Sequence, residues 1–229
     1  MNNRPGENKK VCLLLHGYTG GPYELEPLAE ALRRRGYETV MPTLPGHDQE
    51  LRGLKTTKWY DWLRAAEREA ATLTEAAGRF DLVGFSMGGV LAAYLSTRYP
   101  VRKLVLLNAA AIYFSPVRFV RHLTAAIRNG QVSQLLRGKK IPLGANWQFV
   151  NLVERLRPSF GHVAVPTFIA QSGRDQVVHP LSARYLQRRI KGPVTVCFYP
   201  ESRHLICLDA EADRLFAQVA AFLLGNGED

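Results

Sequence analysis

Cysteine is scarce in this 229-residue chain: Cys12, Cys197 and Cys207 lie far apart, are odd in number and form no C-x-x-C pair. That spacing excludes a disulfide framework and offers no thiolate zinc site. Cys12 and Cys197 fall within apparent strands and read as small buried residues. Long apolar runs are missing too, and none approaches the length of a membrane-spanning helix. The opening MNNRPGENKK is polar without an apolar h-region, so no secretory signal is expected and a cytoplasmic protein is. Acidic residues are fewer than basic ones, 20 against 30, and the formal charge is +10. An imbalance of that kind bears on association and solubility, not on fold. Repeats and low-complexity segments are absent, and the length fits one domain, 1–229, with a sizeable core.

What is present is a succession of short apolar runs separated by helical periodicities. Val11 to Leu15 reads as a central parallel strand. Leu25, Leu28, Ala29 and Leu32 recur at helical spacing and end in Arg33-Arg34-Arg35-Gly36, with cations in the last turn and a glycine stop. Tyr37 to Met41 reads as a strand, and a long helix begins near Thr57 and stops at Gly78. Strands follow at Phe80–Val83, Val101–Asn108, Val165–Ala170 and Val194–Phe198, with helices between most of them. The alternation breaks down from about Ala111 to His162. Strands joined by single helices predict an α/β fold, a mostly parallel central sheet flanked by helices.

Between the strand at 80 and the following helix stands Gly84-Phe85-Ser86-Met87-Gly88. G-x-S-x-G between strand and helix is the context of a nucleophile elbow, in which a serine hydroxyl projects from a strained turn. Alone the pentapeptide is a weak signal, since a glycine-rich turn can hold an incidental serine. Its weight comes from position. In parallel α/β sheets, sites form beyond the C-terminal ends of the strands. His16-Gly17-Tyr18, Ser86, Asp175 and His204 all fall just after strands and therefore converge on one edge.

A serine needs a base, usually a histidine held in one tautomer by a carboxylate. Ser86, Asp175 and His204 occur in the chain order this elbow uses. Other residues compete. His179 suits a surface or capping role, and His122 and His162 lie in the irregular segment. His16 and His47 lie in loops on the active edge, where bracing by hydrogen bonds is the plain alternative. Asp81 begins its strand, five residues or about 16 Å from Ser86 and toward the wrong end. Asp209 is expected to cap the last helix, and Asp48 is a loop residue. An oxyanion needs two N–H donors, one from Met87 after the nucleophile and one from Tyr18 in the loop after the first strand.

LLLHGYTGGP, PTLPGHD, DLVGFSMGG, SGRDQVV and the SRH before the last helix together resemble the bacterial carboxylesterase and monoacylglycerol lipase group of α/β-hydrolases. The resemblance covers most of the chain apart from roughly 111–162. It implies an α/β-hydrolase fold, with nucleophile Ser86, acid Asp175, base His204 and oxyanion donors Tyr18 and Met87. The family more often carries Phe where Tyr18 stands, so a hydroxyl is added near the pocket. The resemblance also implies a small helical cap, inserted as residues 111–162. The expected activity is cleavage of short- to medium-chain acyl esters or monoacylglycerols through an acyl-enzyme, with no cofactor and no metal. Thioesterase, lyase or perhydrolase chemistry on the same triad stays open, as does a ligand-binding protein that keeps the fold.

The inserted segment carries eight basic residues and only Glu154 as an acid, a net +7 of the chain's +10. From Ser115, with Pro116 at the first turn, Phe119, Val120, Leu123 and Ile127 predict an amphipathic helix. Its apolar side is expected to roof the site. Its cationic side is either a solvated surface or a means of peripheral contact with an anionic membrane. The expected partner is a small-molecule ester and no nucleic acid, with the oligomeric state open.

Overall fold

The computed structural model describes residues 10–112 and 143–225. Six strands form one sheet in the order β2-β1-β3-β4-β5-β6: β1 (Val11–Leu15), β2 (Glu38–Val40), β3 (Phe80–Phe85), β4 (Val101–Leu107), β5 (Thr167–Ser172) and β6 (Val194–Tyr199). Every neighbouring pair is parallel. The apolar runs thus become central strands because both faces of a parallel sheet are covered by helices.

Alternate side chains go to opposite faces. Leu13, Leu15, Leu82, Leu104, Leu106 and Ile169 pack with α2 (Trp59–Ala77), α3 (Met87–Leu95), α4 (Leu143–Leu156) and α5 (Leu181–Arg189). Leu14, Val83, Phe85, Val105, Leu107 and Phe168 pack with α1 (Glu26–Arg33) and α6 (Ala212–Leu224). The period-2 pattern of the strands and the helical stripes therefore meet in two cores, one on each side.

The chemistry of the helix ends follows the sequence. The Asp61 carboxylate accepts the Lys58 N–H at 2.8 Å at the start of α2, and Gly78 stops that helix at φ 72°. Lys103 donates to the Phe222 carbonyl at 2.7 Å and Arg102 to that of Leu223 at 2.8 Å, placing two cations at the negative end of α6. Asp81, at the start of β3, pairs with Arg102 and accepts the Tyr37 hydroxyl at 2.8 Å. Burial raises its carboxyl even against the nearby guanidinium.

In the expected irregular segment the chain instead forms α4, 14 residues long. Ala145, Phe149, Leu152, Val153 and Leu156 are buried on one side of it, at spacings of three and four residues. That helix packs on α2 and α3, and a 3-10 turn, Arg157–His162, leads from it toward β5. The periodicity was hidden because Trp147 stands exposed among the apolar positions. The helix expected from Ser115 lies outside the described residues.

Candidate active site

Ser86 lies between β3 and α3 with φ 53° and ψ −112°. This is a conformation that a residue with a side chain seldom adopts. The flanking glycines allow it. A Cβ on Gly84 would come within 2.4 Å of the Gly88 carbonyl, and one on Gly88 within 2.0 Å of the Leu15 carbonyl. No side chain fits there, so β1, β3 and the first turn of α3 press together, and the loop after β1 lies beside Ser86.

Asp175, three residues beyond β5, and His204, in the loop after β6, meet Ser86 at that same sheet edge. His204 Nδ1–H donates to Asp175 Oδ2 at 2.8 Å, and His204 Nε2 accepts the Ser86 hydroxyl at 3.1 Å. All three residues are buried, between 2% and 5% exposed. The second carboxylate oxygen, Asp175 Oδ1, accepts the N–H groups of Val177 and Val178 at 2.8 and 2.9 Å. Asp175 is thereby held on both oxygens, and the imidazole is fixed in the tautomer that leaves Nε2 to accept a proton.

The His204 loop has its own framework, which sequence reading missed. Asn108 ends β4 at φ 42°; its amide donates to the His204 carbonyl at 2.8 Å and to Ser172 Oγ at 2.9 Å. Its carbonyl oxygen accepts the Ser172 N–H at 2.8 Å. An Asn after a strand on the active edge was the available signal, because Asn tolerates positive φ. Asp209 does not cap the last helix as expected. Its carboxylate accepts the Arg203 N–H at 2.7 Å and the Ala210 N–H at 2.9 Å. Glu211 stands at the head of α6 instead and accepts the N–H groups of Glu201 and Ser202. Both acids serve the residues just before His204, where exposed amides of a turn compete for them.

The loop after β1 is braced from both sides. His16 Nδ1–H donates to the Gly17 carbonyl at 2.8 Å and Nε2 accepts the Leu44 N–H at 3.0 Å. His47 Nδ1–H donates to the Pro45 carbonyl at 3.1 Å and Nε2 accepts the Thr19 N–H at 3.3 Å. Burial, and for His16 also the neighbouring His47, lowers the two histidines to about 3 and about 4. Both are therefore neutral braces. On the other side the Glu24 carboxylate accepts the Gly17 N–H at 2.9 Å. The amides before and after Tyr18 are thus both engaged. Thr19 (φ 65°), Ser86 and Asn108 are three of the four described non-glycine residues with positive φ, and all three belong to this edge.

Tyr18 and Met87 stand where the sequence placed them, in the loop after β1 and at the first position of α3. The Tyr18 ring is buried and stacks on Phe149 of α4, 5.0 Å between centroids. Its hydroxyl donates to Asn146 Oδ1 at 2.9 Å, so the added oxygen joins the loop to α4. Burial pushes that hydroxyl well above the ordinary tyrosine range. The other histidines stay apart. His179 accepts the Leu181 N–H at 3.1 Å at the start of α5, His162 lies by the Pro158 carbonyl, and His122 is outside the described residues. Among the described residues no group of three or more His, Cys, Asp and Glu side chains could hold a metal ion.

Comparison with known proteins gives the family. Residues 12–219 match the alpha/beta hydrolase family. A thermostable monoacylglycerol lipase of Bacillus sp. (strain H-257) is 30% identical over 189 residues, covering 77% of this chain and 75% of that protein. A carboxylesterase of Bacillus subtilis (strain 168) is 26% identical, covering 93% and 92%. A solved chain described with the metagenome-derived lipolytic enzymes LipS and LipT superposes with a TM-score of 0.79 at 22% identity, covering 96% and 95%. The match of the family model across nearly the whole sheet, together with these relatives, shows that the chain belongs to the alpha/beta hydrolase family and is a hydrolase enzyme.

Proposed function

We propose that this hydrolase cleaves carboxylic esters, short- to medium-chain acyl esters or monoacylglycerols, through a serine acyl-enzyme. The observation that carries the reading is the continuous hydrogen-bonded line from Asp175 through His204 to Ser86, at 2.8 and 3.1 Å. Ser86 Oγ attacks the ester carbonyl while His204 Nε2 takes its proton. The imidazolium that forms keeps its Nδ1–H on Asp175. The carbonyl oxygen, now an oxyanion, is held by the Tyr18 and Met87 N–H groups, with the positive end of α3 behind Met87. Collapse of the intermediate breaks the bond to the alcohol, which leaves with the proton from His204. A water then gives its proton to His204 and attacks the acyl group. The acid departs and the proton returns to Ser86. Each step is served by side chains and backbone, and none calls for a metal or cofactor.

In this reading residues 111–162 are inserted between β4 and β5 of a single domain and supply a cap, with the described helix α4 of that insertion anchored on α2 and α3. Phe149, stacked on Tyr18, places α4 over the candidate oxyanion loop. The basic charge of that segment would draw the protein to anionic lipid. A thioesterase, lyase or perhydrolase could use the same relay, and a panel of esters and thioesters of varied acyl length separates them. The test of the scheme is Ser86→Ala. The variant should fold normally and lose ester hydrolysis by on the order of 10⁴-fold or more. A serine-directed phosphonate should add to the wild type at Ser86 and not to the variant. Labelling at a different serine would move the nucleophile and sink the scheme.

A further inference from the structure

Glu24 is a buried carboxylate for which the reaction as written has no use. It lies at the end of the short turn Pro22–Glu24, 7% exposed. A surface glutamate has no reason to turn inward, because an ionised carboxylate loses several kcal/mol of hydration on burial unless it is well bonded. The chain has made room for it. A Cβ on Gly20 would sit 2.1 Å from the Glu24 carboxyl, and one on Gly17 would sit 3.2 Å from Oε2. Oε2 accepts the Gly17 N–H at 2.9 Å, one residue before the candidate oxyanion donor Tyr18. Glu24 is also within electrostatic reach of His204. Phe85, whose ring lies against Gly17, has its centroid 5.0 Å from the His204 ring.

We propose that Glu24 is a positioning residue of this site: its carboxylate fixes the Gly17 amide, and through it the Tyr18 N–H. The inference rests on the ester-hydrolase reading above. Asp175 orients His204 from one side, and Glu24 adds a second negative charge that is not bonded to the imidazole. The groups facing Glu24 are the Gly17 and Gly21 amides from its own loop, the neighbouring Tyr23, His204 from the loop after β6, and Cys207 from the turn that follows. Burial raises the Glu24 carboxyl to about 7, and the two amides and His204 oppose that rise. Its charge therefore changes within the range in which such an enzyme works.

Two variants separate the bond from the charge. Glu24→Gln keeps an acceptor oxygen for the Gly17 N–H and removes the charge. Glu24→Ala removes both. In the wild type the acid limb of kcat/KM should contain two ionisations. In Glu24→Gln it should contain one, because the amide keeps an acceptor for the Gly17 N–H but does not titrate. Glu24→Ala should lose about 10²-fold in kcat with KM little changed, since a displaced oxyanion donor acts only in the transition state. A wild-type measurement stands beside these in case a variant does not fold. The Gly17 amide resonance should titrate near pH 7, and a shift that is flat from pH 5 to 9 overturns the proposal. So does a Glu24→Gln profile that superposes on the wild type. Absence of Ser86-dependent hydrolysis in the wild type would overturn the ester-hydrolase reading instead, and the Gly17 titration would still report on Glu24 itself.

Discussion

Ser86, Asp175 and His204 sit at separations in the chain of 89 and 29 residues, yet their side chains form one line because each lies just beyond the C-terminal end of a strand of one parallel sheet. At the scale of single residues the site is a set of groups whose ionisation is controlled by burial. His16 and His47 accept backbone N–H groups only while neutral, and burial holds them neutral to about 3 and about 4. An unfolded histidine takes up its proton near 6.5, so below that pH the unfolded chain binds more protons than the folded one. The stability these two contribute is therefore complete above pH 6.5 and lost progressively as pH falls toward 4. Glu24 works in the opposite sense. Its carboxyl is raised to about 7 by burial, so protonating it on acidification relieves a cost of folding. Two histidines outweigh one carboxylate, and the melting temperature should fall between pH 6.5 and 4. His47→Gln, which keeps an acceptor for Thr19 and cannot be protonated, should flatten that fall. A melting temperature equally steep in pH for wild type and variant would remove His47 from the account.

At the scale of elements, the elbow works because three backbones touch where side chains would be. Gly88→Ala puts a methyl 2.0 Å from the Leu15 carbonyl, which belongs to a central strand and has nowhere to go. It should lower the melting temperature and ester hydrolysis together. Gly144→Ala is the contrast. It lies in the first turn of α4 with nothing within 4 Å of the added carbon, so it should raise the melting temperature slightly by stiffening the unfolded chain. Circular dichroism melts of the two variants decide this, and equal effects would mean that the contact at Gly88 relaxes freely. The elbow was legible in the sequence because strand, motif and helix are contiguous. The supports of the His204 loop were not. Asp209 looked like a helix cap because it precedes an acidic helix start, but the Arg203 amide, six residues back, claims its carboxylate. A local rule names the nearest amide, whereas the fold offers others.

At the scale of the whole molecule, charge is distributed in two ways. On the sheet edge away from Ser86, Arg102 and Lys103 are used up on Asp81 and the end of α6. In the 111–162 segment, Arg155 and Arg157 are exposed, and Arg137, Lys139 and Lys140 lie outside the described residues. Attraction to an anionic lipid surface contributes about 1 kcal/mol per nearby cation and is screened by salt. Binding to anionic vesicles should then exceed binding to neutral ones and weaken as salt rises. Replacing Arg137, Lys139 and Lys140 together by Gln should weaken it further while a small soluble ester is still hydrolysed. Equal binding to both kinds of vesicle, measured by flotation, would leave these charges as ordinary solvated surface. No helix among the described residues is long and apolar enough to cross a membrane.

The sequence by itself determined the succession of strands and helices outside 111–162, the parallel sheet, the glycine-flanked turn at Ser86 and the chain order of Ser86, Asp175 and His204. The first three rest on periodicity and on glycine spacing, which are properties of neighbouring residues, and the last on the order that the elbow motif uses. Only the tertiary structure decided which groups hold the partners in place. Asn108 reaches the His204 carbonyl across 96 positions, and Tyr18 reaches Asn146 across 128. Glu24 turns inward only because Gly17 and Gly20 leave it space and an amide. Which carboxylate, amide or hydroxyl bonds to which is settled by distances of about 3 Å between segments remote in the chain. A linear pattern carries no such distances until the strands have been laid side by side.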